Sequence, residues 1–285
     1  MPLTAQDILW GCVAPTVLAL LLMWVFSKLR EPTSGRVASS WSLISGFLCG
    51  YFVLALGPWI AESHWQWVPH LCLAAAIVGP VGRAADVSAG ERFLLYLVVS
   101  TLSAWFLVPT WDDLSPSRGT YLVGYSLYVA LLALTLEALA NKFDGRIFSA
   151  VLAFSLMSAA IVLILSGNLR FGQMTLAGAS SAFGVFLYAT VTRRSTPLPG
   201  WGLAFATCAA GTLLVGYVNS ISEISPAIYL VVPIAPLGLA ASLAGPLSAG
   251  TGLRGVAGRI LLPTVILIAA CVLAFLSEQS SYEGY

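Results

Sequence analysis

The chain has 285 residues and a mass of 30.0 kDa; 59% of it is hydrophobic, only 9% is charged, and the formal net charge is +1. Soluble domains carry about 25% charged residues. With a mean hydropathy of +0.91, the composition excludes a soluble globular fold, a nucleic-acid binder and a disordered chain, and leaves an all-α, polytopic helical membrane protein.

A helix needs about 20 mostly apolar residues to cross a bilayer. In chain order such runs fall at 8–26, 41–60, 68–82, 92–108, 121–140, 148–166, 174–191, 201–218, 227–244 and 259–276. That is about ten transmembrane helices in a single transmembrane domain over 1–285, with no connection long enough to hold a second domain. Most runs are uniformly apolar rather than alternating, which speaks against a β-barrel. The third run is short, and Pro226, Pro233 and Pro236 crowd the ninth. Met1 to Gln6 carries no Lys or Arg and the first Lys is Lys28, so the first run is expected to be a retained anchor, not a cleaved signal.

Lys and Arg near span ends stay on the cytoplasmic side. Lys28, Arg30 and Arg36 follow the first run. Arg83 and Arg92 follow the third, Lys142 and Arg146 the fifth, Arg193 and Arg194 the seventh, and Arg254 and Arg259 the ninth. The opposite side holds only Arg118 and Arg170, with Asp7, Glu62, Asp112, Asp113, Glu223, Glu278 and Glu283. Both termini are therefore expected outside, which is the periplasm if the membrane is a bacterial inner membrane. The basic face favours anionic head groups of membrane lipids.

Internal repeats show as self-similarity. Residues 73–81 read LAAAIVGPV and 239–247 read LAASLAGPL; Trp41 and Trp201 open the second and eighth runs; Ile60-Ala61-Glu62 resembles Ile221-Ser222-Glu223. A shift of six spans keeps orientation, so the expected duplication is a parallel repeat of spans 1–4 in spans 7–10. Its halves would be 8–108 and 174–276, with 121–166 between them. Gly79-Pro80 and Gly245-Pro246 would be equivalent broken-helix elements, as would Glu62 and Glu223.

Small residues let membrane helices approach closely. Gly46, Gly50, Val53 and Gly57 share one face of the second run; Ala177, Ser180, Ser181 and Gly184 share one face of the seventh. Ser155, Ser158 and Ala159 mark the sixth, and Ala206, Ala209 and Ala210 the eighth. Trp10, Trp59, Trp65, Trp67, Trp105, Trp111 and Trp201 lie near span ends, as an interfacial aromatic belt requires. Cys12, Cys49, Cys72, Cys208 and Cys271 all fall within runs, without CxxC or His spacing, and read as small hydrophobes.

An ionisable residue inside a span costs about 2.5–3.5 kcal/mol on insertion scales and is a functional candidate. Glu137 is the first such group. Ala130, Ala133 and Asn141 share its helix face, which would look into the bundle and place a proton-relaying carboxyl there; alternatively Glu137 reaches the cytoplasmic edge near Lys142. Glu62, His64 and His70 flank the third run, where His beside a carboxylate titrates near neutral pH, though the spacing is not HExxH. Asp112-Asp113 reads as a solvated turn before Leu114-Ser115-Pro116. Gly250-Thr251-Gly252-Leu253-Arg254-Gly255 matches GxGxxG by letter without the strand that fingerprint needs. No motif for a metal or a cofactor stands out.

Three readings of function follow. The first is a small-solute transporter or permease-like bundle, resting on ten spans, the duplication and the Pro/Gly-broken third and ninth runs, with Gly79, Pro80, Pro233, Pro236, Gly245 and Pro246 freeing backbone groups near a ligand. The second is a non-catalytic structural or assembly subunit, partnered by other membrane subunits or by a second copy. The third is an intramembrane lipid-modifying enzyme using Glu62, His64, His70, Asp112 or Asp113. In size and span number the chain resembles the drug/metabolite transporter superfamily. That resemblance implies cytoplasmic termini and an inverted five-plus-five repeat, and the sidedness and repeat read here differ on both counts.

Overall fold

A computed structural model describes residues 9–29, 34–82, 87–192, 199–220, 222–243 and 252–283. It is 83% helix, with no strand among the described residues. A π-helical turn, Leu9–Val13, leads into α1 (Ala14–Lys28). There follow α2 (Ser34–Val53), a 3-10 turn (His64–Trp67), α3 (Val68–Val81) and α4 (Ala89–Leu107). Next come α5 (Arg118–Ala140), α6 (Gly145–Leu165), α7 (Leu169–Val191) and α8 (Gly202–Val218). Last are α9 (Pro226–Ile234), continued by a 3-10 run (Ala235–Leu243), and α10 (Gly252–Glu283). Among the described residues seven helices are long and apolar enough to cross a membrane: those over Leu9–Lys28, Ala89–Leu107, Arg118–Ala140, Gly145–Leu165, Leu169–Val191, Pro226–Leu243 and Gly255–Gln279. Helices α2, α3 and α8 overlap the remaining predicted runs and are shorter over their apolar part. The chain is an integral membrane protein by these helices.

The ends of the helices have local causes. The second run was expected to continue to residue 60, but α2 stops at Val53. Ala55 takes a left-handed φ of 48°, Leu56 N–H bonds the Tyr51 carbonyl and Ala55 N–H that of Phe52, closing a Schellman turn. The same turn ends α6, with Gly167 at φ 79° in the left-handed position. Asp144 caps α6, accepting from Arg146 N–H at 2.8 Å while its carboxylate pairs with the Arg146 guanidinium at 2.6 Å.

Helix α8 is the hub. It is buried on every side and packs on α2, α3, α4, α5, α6, α7 and α9, as a helix apolar all round must. The small-residue faces read from the sequence meet each other. A methyl at Gly46 would strike Ser181 Oγ and approach the Pro15 carbonyl to 2.9 Å, and one at Gly50 would strike Ala177 Cβ. Ser181 Oγ donates to the Ser42 carbonyl at 2.6 Å across this α2–α7 seam. At Gly184 an added methyl would come within 2.5 Å of the Thr16 carbonyl of α1.

Two of the proline breaks have a serine answering them. A helical carbonyl bonds the N–H four residues on, and proline has none. Pro80 thus deprives Ala76, and Ser40 Oγ of α2 donates to that carbonyl at 3.3 Å. Pro236 deprives Val232, and Ser155 Oγ of α6 donates there at 2.8 Å. Pro233 lies within α9 and Pro236 within the 3-10 run; Gly79 and Pro80 close α3. Gly245 and Pro246 lie outside the described residues, as do Thr251 of the GxGxxG match and Asp7, Arg30, Glu31, Arg83, Asp86, Arg193 and Arg194.

Candidate functional site

Two polar places and one cleft stand out, strung along the antiparallel pair α5 and α8. At one end is Glu137. It is wholly buried, so the alternative in which it reaches the membrane edge is set aside: Ala130 and Ala133 on its face are buried with it. A helix leaves its first N–H groups without intrahelical partners, and α8 begins inside the protein. Glu137 Oε2 accepts from Gly200 N–H at 2.9 Å and Oε1 from Gly202 N–H at 2.7 Å. The carboxyl thus caps α8 from another helix, where the helix dipole favours negative charge. Glycine is required at 202, since a methyl there would collide with the Ala133 carbonyl and come within 2.9 Å of Glu137 Cγ. Asn141 Nδ2 donates to the Glu137 carbonyl at 3.1 Å. Trp201, expected in the interfacial belt, is fully buried beside this cap, its indole N–H without a partner among the described residues. Nearness to a helix end does not place a side chain at the membrane surface when that end is itself enclosed. Trp10, Trp59, Trp105 and Trp111 are exposed, as a belt demands.

The opposite end collects the loops that follow α2, α4 and α8. Gln66 Oε1 accepts from the N–H groups of Glu62 and Ser63, tying the 3-10 turn. Asn219 Nδ2 donates to His64 Nε2 at 3.1 Å, so that nitrogen is unprotonated, and the ring stands edge-on to Trp111 at 5.4 Å. His70 lies 4.2 Å from the Trp59 ring and 5.5 Å from Trp67, its Nδ1 3.3 Å from the Gln66 carbonyl. Glu62, Asp112, Asp113 and Glu223 are exposed, and Asp112-Asp113 forms the turn read from the sequence. The partner of His64 is Asn219, not Glu62 or Asp113. Among the described residues no group of three His, Cys, Asp or Glu is placed to hold a metal. The Arg118 guanidinium lies 4.7 Å over Trp105 and that of Arg170 4.9 Å over Trp65.

Burial lowers the His64 pKa below its ordinary 6.5. A base whose folded pKa is depressed takes its proton more readily when unfolded, so stability is full above the unfolded pKa and declines as pH falls below it. The melting temperature is therefore expected to drop as pH falls below about 6.5, and His64→Gln, which keeps an acceptor for Asn219, to flatten that slope in thermal unfolding.

Between these ends, nearer the His64 end, a cleft of about 400 Å³ opens between α5, α8 and α9. Tyr121, Tyr125, Tyr128, Tyr217 and Tyr229 wall it, and Gly124 and Ala210 give it width. Tyr128 Oη donates to the Leu230 carbonyl at 2.7 Å, joining α5 to the broken span. Tyr125 and Tyr229 are 7% and 5% exposed, and their hydroxyls have no partner among the described residues. Tyr121 and Tyr217 also line a polar mouth of about 260 Å³ with Ser115, Ser220 and Ser222. None of the five tyrosines was singled out from the sequence; the signal was their spacing at 121, 125 and 128, one face of one helix. A second cleft of about 620 Å³, between α1, α6 and α7, is walled by Val13, Val17, Phe154, Met157 and Phe183. No protein-family model matches the chain, and no curated protein is similar to it.

Proposed function

We propose that the chain is a permease-like bundle that crosses the membrane ten times, with both termini outside in a bacterial inner membrane, and takes a small solute through the α5–α8–α9 cleft. One observation carries this reading: the cleft with its polar mouth abuts the proline-broken ninth helix. Carrier sites are built where discontinuous helices meet. The parallel repeat belongs to the same reading and is supported by the internal prolines of the third and ninth spans.

The test is two-sided access. In a cysteine-free background, Ala210→Cys on the cleft wall is expected to react with a membrane-impermeant methanethiosulfonate both from outside and in inverted vesicles. Ser222→Cys at the mouth should react from outside only. Reaction of Ala210→Cys from a single side ends the carrier reading, and reaction of Ser222→Cys from the cytoplasm alone ends the sidedness. A second reading, a structural subunit, is favoured by the 620 Å³ apolar cleft at α1, α6 and α7, which would take a partner's helix; one-sided access together with a co-purifying membrane protein supports it.

A further inference from the structure

The second half of the ninth span is wound against its own sequence. Runs of 3-10 helix longer than about four residues are uncommon, and this one covers nine, Ala235–Leu243. From Leu237 on, the sequence LGLAASL holds no proline and no β-branched residue, and Gly238 alone is a poor α-helix former. The two windings meet at Ala235, whose N–H is shared between the carbonyls of Val231 and Val232. Before that junction the α-helical half is held by two other helices: Tyr128 Oη donates to the Leu230 carbonyl at 2.7 Å and Ser155 Oγ to the Val232 carbonyl at 2.8 Å. After it, Pro236 lacks the N–H that would carry α bonding across, yet proline is tolerated in the first turn of a new α-helix.

The burial pattern follows the present winding. Pro236, Leu239 and Ser242 are buried, every third residue, as side chains eclipse in a 3-10 helix. Leu243 is 41% exposed and Ala240 is exposed. The apolar residues are spaced otherwise. Pro236, Leu239, Ala240 and Leu243 fall at i, i+3, i+4 and i+7, the stripe of an α-helix. The 3-10 form thus buries a serine, whose hydroxyl turns back to the Leu239 carbonyl at 2.7 Å, and leaves a leucine outside. Rewound as α-helix, the segment puts Leu243 into the packed stripe and turns Ser242 out of it, where its hydroxyl can bond the carbonyl four residues back. The two forms differ by about 0.5 Å of rise and about 20° of turn per residue, hence by about 4.5 Å and half a turn over the segment. Gly238 couples the change to α10, since a methyl there would lie 3.2 Å from Pro263 Cδ and N.

We propose that Ala235–Leu243 is a winding switch set by bilayer thickness: 3-10 in a thick hydrocarbon layer, α-helical in a thin one, its Leu243 end drawn in and turned as it rewinds. Mismatch between a span and the layer around it is unfavourable for every ångström, so thickness selects between two lengths of one segment. The switch does not depend on the carrier reading; it needs no solute and serves a structural subunit equally.

The experiment places nitroxides at Ala227→Cys and Ala241→Cys in the full chain with its native cysteines replaced. Both sites are exposed, and residue 241 points away from the packed stripe in either winding. Their separation, read by double electron–electron resonance, is expected to be about 3–4 Å longer in dierucoylphosphatidylcholine liposomes than in dimyristoleoylphosphatidylcholine. A second pair at Val123→Cys and Ala138→Cys, exposed on α5, should keep one separation in both. Pro236→Ala, which supplies the missing N–H to Val232, should hold the short separation in both lipids.

A 227–241 separation that ignores the lipid overturns the proposal, as does equal lengthening on α5, which would make the response a deformation of the whole bundle. A Pro236→Ala protein that follows thickness as the parent does overturns it too, by taking the switch away from the junction. The lipid comparison with Pro236 in place decides the matter even where that variant does not fold. A lipid-dependent separation with Ala210→Cys open to one side keeps the switch and ends the carrier reading; two-sided access with a constant separation does the reverse.

Discussion

Glu137→Leu is expected to lower stability by about 2–6 kcal/mol, enough to unfold many proteins, because it strands two buried N–H groups at about 1–3 kcal/mol each. The acceptors for Gly200 and Gly202 are both on this one side chain, and α8, whose start they hold, touches seven other helices. Glu137→Gln keeps one oxygen but turns an amide NH₂ towards a backbone donor, so a smaller loss of about 1–3 kcal/mol is expected. Thermal unfolding in detergent reads both. Maleimide reaction of Cys208, buried on α8, reads whether that helix has loosened. A Glu137→Leu protein with unchanged melting temperature and an unreactive Cys208 would show that the carboxyl is not what holds α8.

Gly50→Ala is expected to cost about 1–3 kcal/mol by overpacking, and Ala177→Gly to restore most of it in the double variant. The reasoning is geometric. The methyl added at Gly50 strikes only Ala177 Cβ; its next neighbours, Pro15 Cγ at 3.5 Å and Ala177 Cα at 3.6 Å, are at ordinary contact distance. Gly46 differs, since its methyl also meets the Pro15 carbonyl at 2.9 Å, and removing the Ser181 side chain does not move a backbone oxygen. A double-mutant cycle on melting free energies measures the coupling, because residues in contact depart from additivity. Equal losses for Gly50→Ala with and without Ala177→Gly would separate these two faces.

Much of this fold was legible because hydropathy and small-residue spacing are local. The Gly46/Gly50 and Ala177/Ser181 faces could be written down from their i, i+4 pattern, though not that each was the other's partner. The reach of α2 was misjudged, since apolar residues continue past Val53 and only the left-handed turn at Ala55 ends the helix. The site was harder. Glu137 stood out as an ionisable group in an apolar run, yet its partners are backbone N–H groups some 63 and 65 residues away, and N–H groups leave no mark in a sequence. Trp201 failed for the same reason: sequence places it at a helix end, and only packing says that the end is interior. The tyrosine cleft draws on three helices, and a cavity is a property of where they do not touch.

The nine residues of 3-10 helix that continue α9 have a consequence for reach. An α-helix rises about 1.5 Å per residue, so the eighteen residues Pro226–Leu243 wound as one would extend about 27 Å, short of a hydrocarbon layer about 30 Å thick. A 3-10 helix climbs about 2.0 Å per residue, and with half the segment in that form the same chain stretches to about 31 Å. Tightening the coil lengthens the rod, so the winding change begun at the prolines is what lets so short a segment traverse the oil.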